Sequence, residues 1–373
     1  MLTYDLDKRG NKTMYEYLYE LIKEDIADGK LKADEKLPSK RGLSQHLQIS
    51  VKTVENAYEQ LLLEGYIRSE EKRGYYVNKI AVVTGGAPGY AAPVKRFQEE
   101  TYLADLTANN IRYDRFPFAT WAKVMRETLT DYNTSLLKTV PFNGVLQLRE
   151  AIADHLNRYR GMQVSADHII IGAGTEYLYN RLLQLLGPDV KFGVENPGYR
   201  KITKIYDENG VDWDYVNIDD KGMKVDELRM KDINVAHVSP EHHFPIGLVM
   251  PVARRQELLN WAAEEPGRYI IEDDFDCEFR MQGKPIPSIQ SRDRSHRVIY
   301  MNTFSKTIAP SVRIGYMILP ETLVDAFEHK LGFYSCPVPL FEQYVLSELL
   351  RSGDYERHIN RVRRKRRREL GNL

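Results

Sequence analysis

The sequence is poor in three things. Of its 373 residues only Cys277 and Cys336 are cysteine, too few for a disulfide framework and in keeping with a reducing cytoplasm. Long apolar runs are missing: nowhere do about 18 uncharged apolar residues follow one another, so a membrane span is not expected. Nor does the opening Met1-Leu-Thr-Tyr-Asp-Leu-Asp-Lys-Arg contain the apolar stretch of a signal peptide. An excess of positive charge is missing as well. Lys plus Arg and Asp plus Glu each number 53, and residues 1–80 carry 14 of each sign. No bulk field draws this chain to nucleic acid, so any such surface has to be a local patch.

What is present describes a globular chain, 42% hydrophobic and 28% charged, long enough for about two or three domains. Residues 11–78 read as three helices and a small hairpin. Met14, Leu18, Leu21, Ile22 and Ile26 recur at helical spacing, and Gly29 is a natural stop. Ser39 is expected to cap a short helix through Leu47. Ser50 is expected to cap another, with Val54, Ala57, Tyr58, Leu61 and Leu62 inward and Gly65 at its end. Tyr66-Ile-Arg-Ser and Tyr75-Tyr-Val read as strands around a charged turn. Residues 79–101 are turn-rich, with no periodic apolar face, and read as a flexible linker.

A pair of helices joined by a short turn offers the first residues of its second helix to base edges in the major groove. Those residues are Ser50, Lys52 and Thr53. Lys40 and Arg41 suit phosphate contacts, and Arg73 with Gly74 at the hairpin tip suits the adjacent minor groove. Periodicity alone leaves open a three-helix domain for protein contacts. The residues go further: Pro38-Ser-x-Arg41, Ser50-x-x-Thr-Val54, Ala57-Tyr58 and Leu61-x-x-x-Gly65 together resemble the winged helix-turn-helix of GntR-type bacterial regulators. The resemblance implies double-stranded DNA as a partner, contacted by Lys40, Arg41, Ser50, Lys52, Thr53, Arg73 and Gly74. Val51 stands where many relatives carry arginine, which bears on base preference.

From about residue 102 the pattern changes. Ile169-Ile-Ile-Gly, Lys191-Phe-Gly-Val-Glu, Val235-Ala-His-Val-Ser, Tyr269-Ile-Ile-Glu-Asp and Arg297-Val-Ile-Tyr-Met are short apolar runs. Amphipathic stretches such as 177–186 and 254–264 lie between them, the pattern of an α/β domain with a mostly parallel, doubly covered sheet. Lys306 follows the last of these runs, and Arg313, seven residues on, suits bidentate pairing with phosphate. Asp273 ends a strand, at the carboxyl edge where open α/β sheets bind ligands. Gly174 and Thr175 sit where a helix N-terminus would meet an anion, and Tyr199 in Asn196-Pro-Gly-Tyr is a candidate stacking platform. Taken singly, each has an ordinary reading as a surface charge or a core side chain. In this order they supply what pyridoxal phosphate needs: an amine for its aldehyde, an acid for its ring nitrogen, phosphate donors and a flat cover.

Gly174-Thr175, Asn196-Pro-Gly-Tyr199, Ser239-Pro-Glu-His-His-Phe-Pro-Ile-Gly247, Glu272-Asp-Asp274, Ser305-Lys306 and Arg313 together resemble fold-type I aminotransferases. With the head attached, nearly the whole chain resembles the MocR-type (GabR-like) regulators of the GntR superfamily. The resemblance implies an aminotransferase-like domain over 102–373 that works in a cytoplasmic homodimer as a sensor and not as an enzyme. An amine or amino-acid effector would be sensed through an aldimine of pyridoxal 5'-phosphate at Lys306. Asp273 becomes the pyridinium partner and Tyr199 the ring cover, with Gly174, Thr175, Thr303, Ser305 and Arg313 around the phosphate.

Lys201 and His243 replace an arginine and a glutamine of relatives and are implied to touch the effector. Phe275 replaces a tyrosine that bonds the ring's phenolic oxygen, which speaks against turnover. Relatives continue for about another small domain, so a C-terminal part is expected to be missing. The run Arg361-Val-Arg-Arg-Lys-Arg-Arg-Arg reads as a solvated helix face. No metal site is expected. Two other readings stay open: a working aminotransferase with an accessory DNA-binding head, and a cofactor-free DNA-binding regulator with a degenerate body.

Overall fold

The computed structural model describes residues 2–79, 116–132, 134–279 and 286–371. They fall into two compact units that divide between Thr101 and Tyr102. Apart from Lys79, the expected linker over 79–101 lies outside the described residues.

In the first unit short-range caps set the helix boundaries. Thr13 opens α1 (Met14–Ala27) with a capping box, its N–H and hydroxyl donating to Glu16 Oε2 at 3.0 and 2.7 Å. Ser39 opens α2 (Lys40–Leu47) by accepting from Gly42 N at 3.0 Å, and Ser50 opens α3 (Val51–Leu63) by accepting from Thr53 N at 3.0 Å. Leu18 and Ile22 of α1 share one core with Leu43 of α2 and with Val54, Ala57, Tyr58 and Leu61 of α3. Each of these seven side chains is fully buried. Strands β1 (Ile67–Glu70) and β2 (Gly74–Val77) pair antiparallel, Ile67 opposite Val77. The first strand starts one residue later than the sequence suggests. Tyr66 N instead donates to Leu61 O at 2.9 Å, closing the end of α3 across Gly65, whose φ is +77°.

The second unit opens with α4 (Phe118–Asp131) and α5 (Leu146–Arg160), then β3 (Ile169–Gly172), α6 (Thr175–Leu186), β4 (Phe192–Asn196) and α7 (Arg200–Glu208). Next come β5 (Trp213–Asp219), β6 (Gly222–Met223), α8 (Val225–Met230), β7 (Val235–Val238), α9 (Val252–Glu264), β8 (Tyr269–Asp273) and β9 (Val298–Thr303). β10 (Gly315–Ile318), α10 (Glu321–Leu331), α11 (Leu340–Arg351) and α12 (Asp354–Gly371) complete it.

The sheet order is β3-β10-β9-β8-β7-β4-β5-β6. β4, β5, β7, β8 and β9 pair in parallel, whereas β10 runs antiparallel to both β3 and β9. The sequence did not announce β10. Only residues 304–314 connect it to its neighbour β9, and a link that short closes an antiparallel pair more readily than a parallel crossover.

The central strands are buried along their length because helices cover both faces, which is why they read as unbroken apolar runs. On one face Leu182 of α6 joins Val194, Ile271, Ile299 and Met317; on the other Leu258 and Trp261 of α9 join Ile270 and Val298. β5, missed in the sequence, buries only Val216 fully and carries three polar residues in its seven.

Candidate functional site

The carboxyl ends of the parallel strands bring together the groups singled out in the sequence. β8 ends at Asp273, β9 ends at Thr303, the turn after β3 leads into α6 at Thr175, and the turn after β4 leads into α7 behind Tyr199. Lys306 rides on the short connection from β9 to β10. Topology alone therefore gathers Asp273, Thr303, Lys306, Gly174, Thr175 and Tyr199 at one edge of one sheet.

Asp273 is 8% exposed. Its Oδ2 accepts from the Tyr179 hydroxyl, and His237 Nε2 lies 3.9 Å away. Tyr206 steadies that ring through His237 Nδ1 at 2.8 Å. Asp273 Oδ1 is buried and meets no hydrogen-bond partner among the described residues. One oxygen is thus held by the protein and the other is left as a bare acceptor. The sequence reading missed Tyr179 and His237. The signal was present: Tyr179 lies four residues after Thr175, on the inward face of α6.

Lys306 is half-buried, and burial pushes its ammonium below the usual lysine range, with Asp276 opposing. Asp276, itself raised by burial, pairs with His242 Nδ1 at 2.6 Å, and Phe275 stacks on the His242 ring at 6.2 Å. Thr303 and Ser305 shape the Lys306 loop: their hydroxyls donate to Ile314 O at 3.2 Å and Val312 O at 2.9 Å.

Gly174 has a φ of +87°, and a Cβ there would lie 2.8 Å from Arg313 Nη2, so the guanidinium crosses the start of α6 in close contact. Glu176, in the first turn, bonds Lys201 Nζ and lies 3.8 Å from Arg313 Nη2. Tyr199 is 47% exposed and edge-on to Phe244, ring centroids 5.7 Å apart. His243 is 2% exposed and 3.6 Å from Glu195 Oε2, while its neighbour His242 is exposed. Burial lowers His243 and lifts Glu195 to about 8. Beside Asp273, Asp274 faces away into a buried cluster, where Arg160 Nη2 reaches Asp274 Oδ2 at 2.6 Å and Glu241 Oε1 at 2.5 Å.

In the head, Ser50 caps α3 and Lys52 and Thr53 lie in its first turn, with the Ser50 and Thr53 hydroxyls 2.8 Å apart. Glu55 links Lys40 at 2.8 Å to Lys52 at 2.9 Å, and the two cations draw it down to about 2. Arg41 is exposed, as is Arg73 at the hairpin tip, 3.6 Å from Glu70 Oε2. Gly74, with a φ of +114°, opens β2. The arginine-rich end is part of α12, where Arg366 stands over Phe279 at 4.2 Å and Arg363 Nε donates to Glu278 O at 2.5 Å. Among the described residues no helix is long and apolar enough to cross a membrane.

Residues 14–77 match the bacterial regulatory proteins of the GntR family, and residues 102–370 match the class I and II aminotransferases. The HTH-type transcriptional regulator YdeL of Bacillus subtilis is 37% identical over 94% of this chain and 76% of its own length. MocR of Rhizobium meliloti, a probable rhizopine catabolism regulatory protein, is 29% identical over 96% of this chain and 76% of its own. The chain belongs to the MocR-type family of GntR regulators. It is a transcriptional regulator with an aminotransferase-like body, and its helix-turn-helix head implies binding to DNA.

Among solved structures, an archaeal alanine:glyoxylate aminotransferase superposes with a TM-score of 0.60 at 28% identity. The match covers 66% of this MocR-type chain and 63% of the aminotransferase, less than two thirds of that protein.

Aminotransferases of this fold depend on pyridoxal phosphate, and the residues present suit it. Asp273 Oδ1 is a buried acceptor in want of a donor, as a protonated ring nitrogen would provide. The absent side chain of Gly174 leaves backbone and Arg313 open at a helix N-terminus, as a phosphate requires. Lys306 is held toward its neutral form, which attack on an aldehyde needs.

Proposed function

We propose that this regulator holds pyridoxal phosphate in its body, senses an amine or amino acid there as a homodimer, and passes the outcome to its DNA-binding head. The observation that carries this reading is the half-satisfied, buried carboxylate of Asp273 at the same sheet edge from which the Lys306 loop leaves. When bound, the cofactor supplies an aldehyde that condenses with primary amines and a ring that withdraws electrons once its nitrogen is protonated.

Lys306 would anchor it covalently. Asp273 Oδ1 would hold the ring nitrogen's proton, with Tyr179 and His237 fixing the carboxylate from behind. Tyr199 would cover the ring, and Gly174, Thr175, Thr303, Ser305 and Arg313 would surround the phosphate. Because Thr303 and Ser305 already spend their hydroxyl protons on backbone carbonyls, Arg313 and the first turn of α6 would supply most of the phosphate donors. Effector choice would fall to groups around Tyr199: Lys201, two residues on, and His243, close to the Pro197 backbone.

An effector amine that took the place of Lys306 would leave that lysine free beside Asp276. A coupling of about 1–3 kcal/mol between body and head would change promoter occupancy roughly 5- to 150-fold. Phe275 offers no donor to the ring's phenolic oxygen, which favours sensing over turnover.

The test pairs two readouts. Wild-type protein titrated with pyridoxal phosphate gains the long-wavelength absorbance of a lysine-bound cofactor, and Lys306→Ala does not. An amine panel then alters binding to a duplex from the region upstream of the protein's own gene, but only in cofactor-loaded protein. Absence of the band in wild type, or its persistence in Lys306→Ala, would remove this reading.

A further inference from the structure

Glu176 is an acid in a place made for an anion from outside. It lies in the first turn of α6, where free N–H groups and the helix dipole favour negative charge. Its Oε1 accepts from Lys201 Nζ at the start of α7, and its Oε2 lies 3.8 Å from Arg313 Nη2. The lysine bond is the main reason its carboxyl is held below the usual glutamate range. Arg313 is the guanidinium that crosses Gly174. Lys201 and Arg313 therefore converge on one carboxylate of the chain itself, carried by the first turn of α6. That carboxylate stands where the function proposed above puts the cofactor's phosphate.

Two anions compete for one set of donors. A dianionic phosphate brought to Arg313 and α6 meets the Glu176 charge a few ångströms away, and like charges at that distance repel. The carboxylate has to give up Arg313, and Lys201 becomes available to whichever anion is nearer.

We propose that Glu176 is an internal competitor for the cofactor's phosphate. It holds Lys201 and Arg313 together and has to yield them to a bound phosphate, which weakens cofactor affinity. This inference rests on the cofactor reading of the site and adds a residue that acts against occupancy. All three side chains are close to half exposed, at 45% for Glu176, 48% for Lys201 and 50% for Arg313. Exposed pairs of this kind contribute little to folding, so the competition can be removed without unfolding the protein.

The experiment compares wild type with Glu176→Gln, and with Glu176→Ala as a second variant, by absorbance titration with pyridoxal phosphate. Circular dichroism checks the fold. Loss of the competing pairs is expected to tighten binding about 2- to 10-fold, and the gain shrinks as salt rises. Pyridoxal, which has the same ring and aldehyde but no phosphate, is expected to bind wild type and variants alike.

Equal or weaker pyridoxal phosphate binding by both variants, with wild type binding normally, overturns the inference and leaves the cofactor reading standing. A gain that pyridoxal shares equally also overturns it. Folded protein that takes up no cofactor in any form sinks the cofactor reading and this inference with it.

Discussion

Asp273→Asn is expected to move stability and cofactor binding in opposite directions. Asp273 is 8% exposed, one oxygen held by Tyr179 and the other without a partner among the described residues. A half-satisfied buried carboxylate costs more than a half-satisfied amide of the same shape, because the charge itself has been desolvated. In Asp273→Asn the side-chain oxygen still accepts from Tyr179, and only a neutral NH₂ is left short. An unpaired buried polar group costs about 1–3 kcal/mol, and more when charged, so the substitution should recover on the order of 1 kcal/mol. For a body of this size that raises the melting temperature by about 2–4 °C.

The cofactor loses more than the apoprotein gains. A charge-assisted hydrogen bond contributes about 1.5–3 kcal/mol, so pyridoxal phosphate affinity should fall roughly 10- to 150-fold. Melting curves with and without cofactor, read beside an absorbance titration, measure both effects on one sample. A variant that melts lower than wild type and binds the cofactor within about twofold of it would refute the reasoning.

Three further expectations follow from other parts of the molecule. Arg160→Met leaves Asp274 and Glu241 as buried carboxylates without their shared cation, and urea unfolding should show a loss of about 3–5 kcal/mol. Glu195 keeps its proton to about pH 8 in the folded chain but gives it up at the ordinary glutamate value when unfolded. The folded state then binds the extra proton, so stability falls by about 1.4 kcal/mol for each unit the pH rises between those two values, and Glu195→Gln should flatten the slope. In the head, Lys40→Ala should weaken binding about equally for all duplex sequences and lower the salt-dependence slope by about 1. Loss of binding to only one sequence would mean that Lys40 reads bases.

The head was legible because its signals are short-range. Ser39, Ser50 and Gly65 mark helix ends within three residues of themselves, and the buried stripe from Val54 to Leu61 repeats at the helical period. The parallel strands were legible as apolar runs for the physical reason that both their faces are covered. β5 and β10 were not: one carries three polar residues in seven, and the other opens with glycine.

For the site, the strand ends that carry Asp273 and Thr303 and the turns that carry Gly174 and Tyr199 could be read from the chain. What they touch could not. The bond from Tyr179 to Asp273 spans 94 residues and the link from Arg160 to Asp274 spans 114, distances over which sequence pattern has no reach. Glu176 was passed over because it reads as an ordinary first-turn acid. Only its pairing with Lys201 and Arg313 sets it apart.

The central claim is that residue 306 carries the cofactor. Protein incubated with pyridoxal phosphate, reduced with borohydride and digested should yield one pyridoxyl-labelled peptide, bearing the tag on Lys306 and accounting for the bleached absorbance. A tag spread over surface lysines, or none on the peptide that contains Lys306, would contradict it.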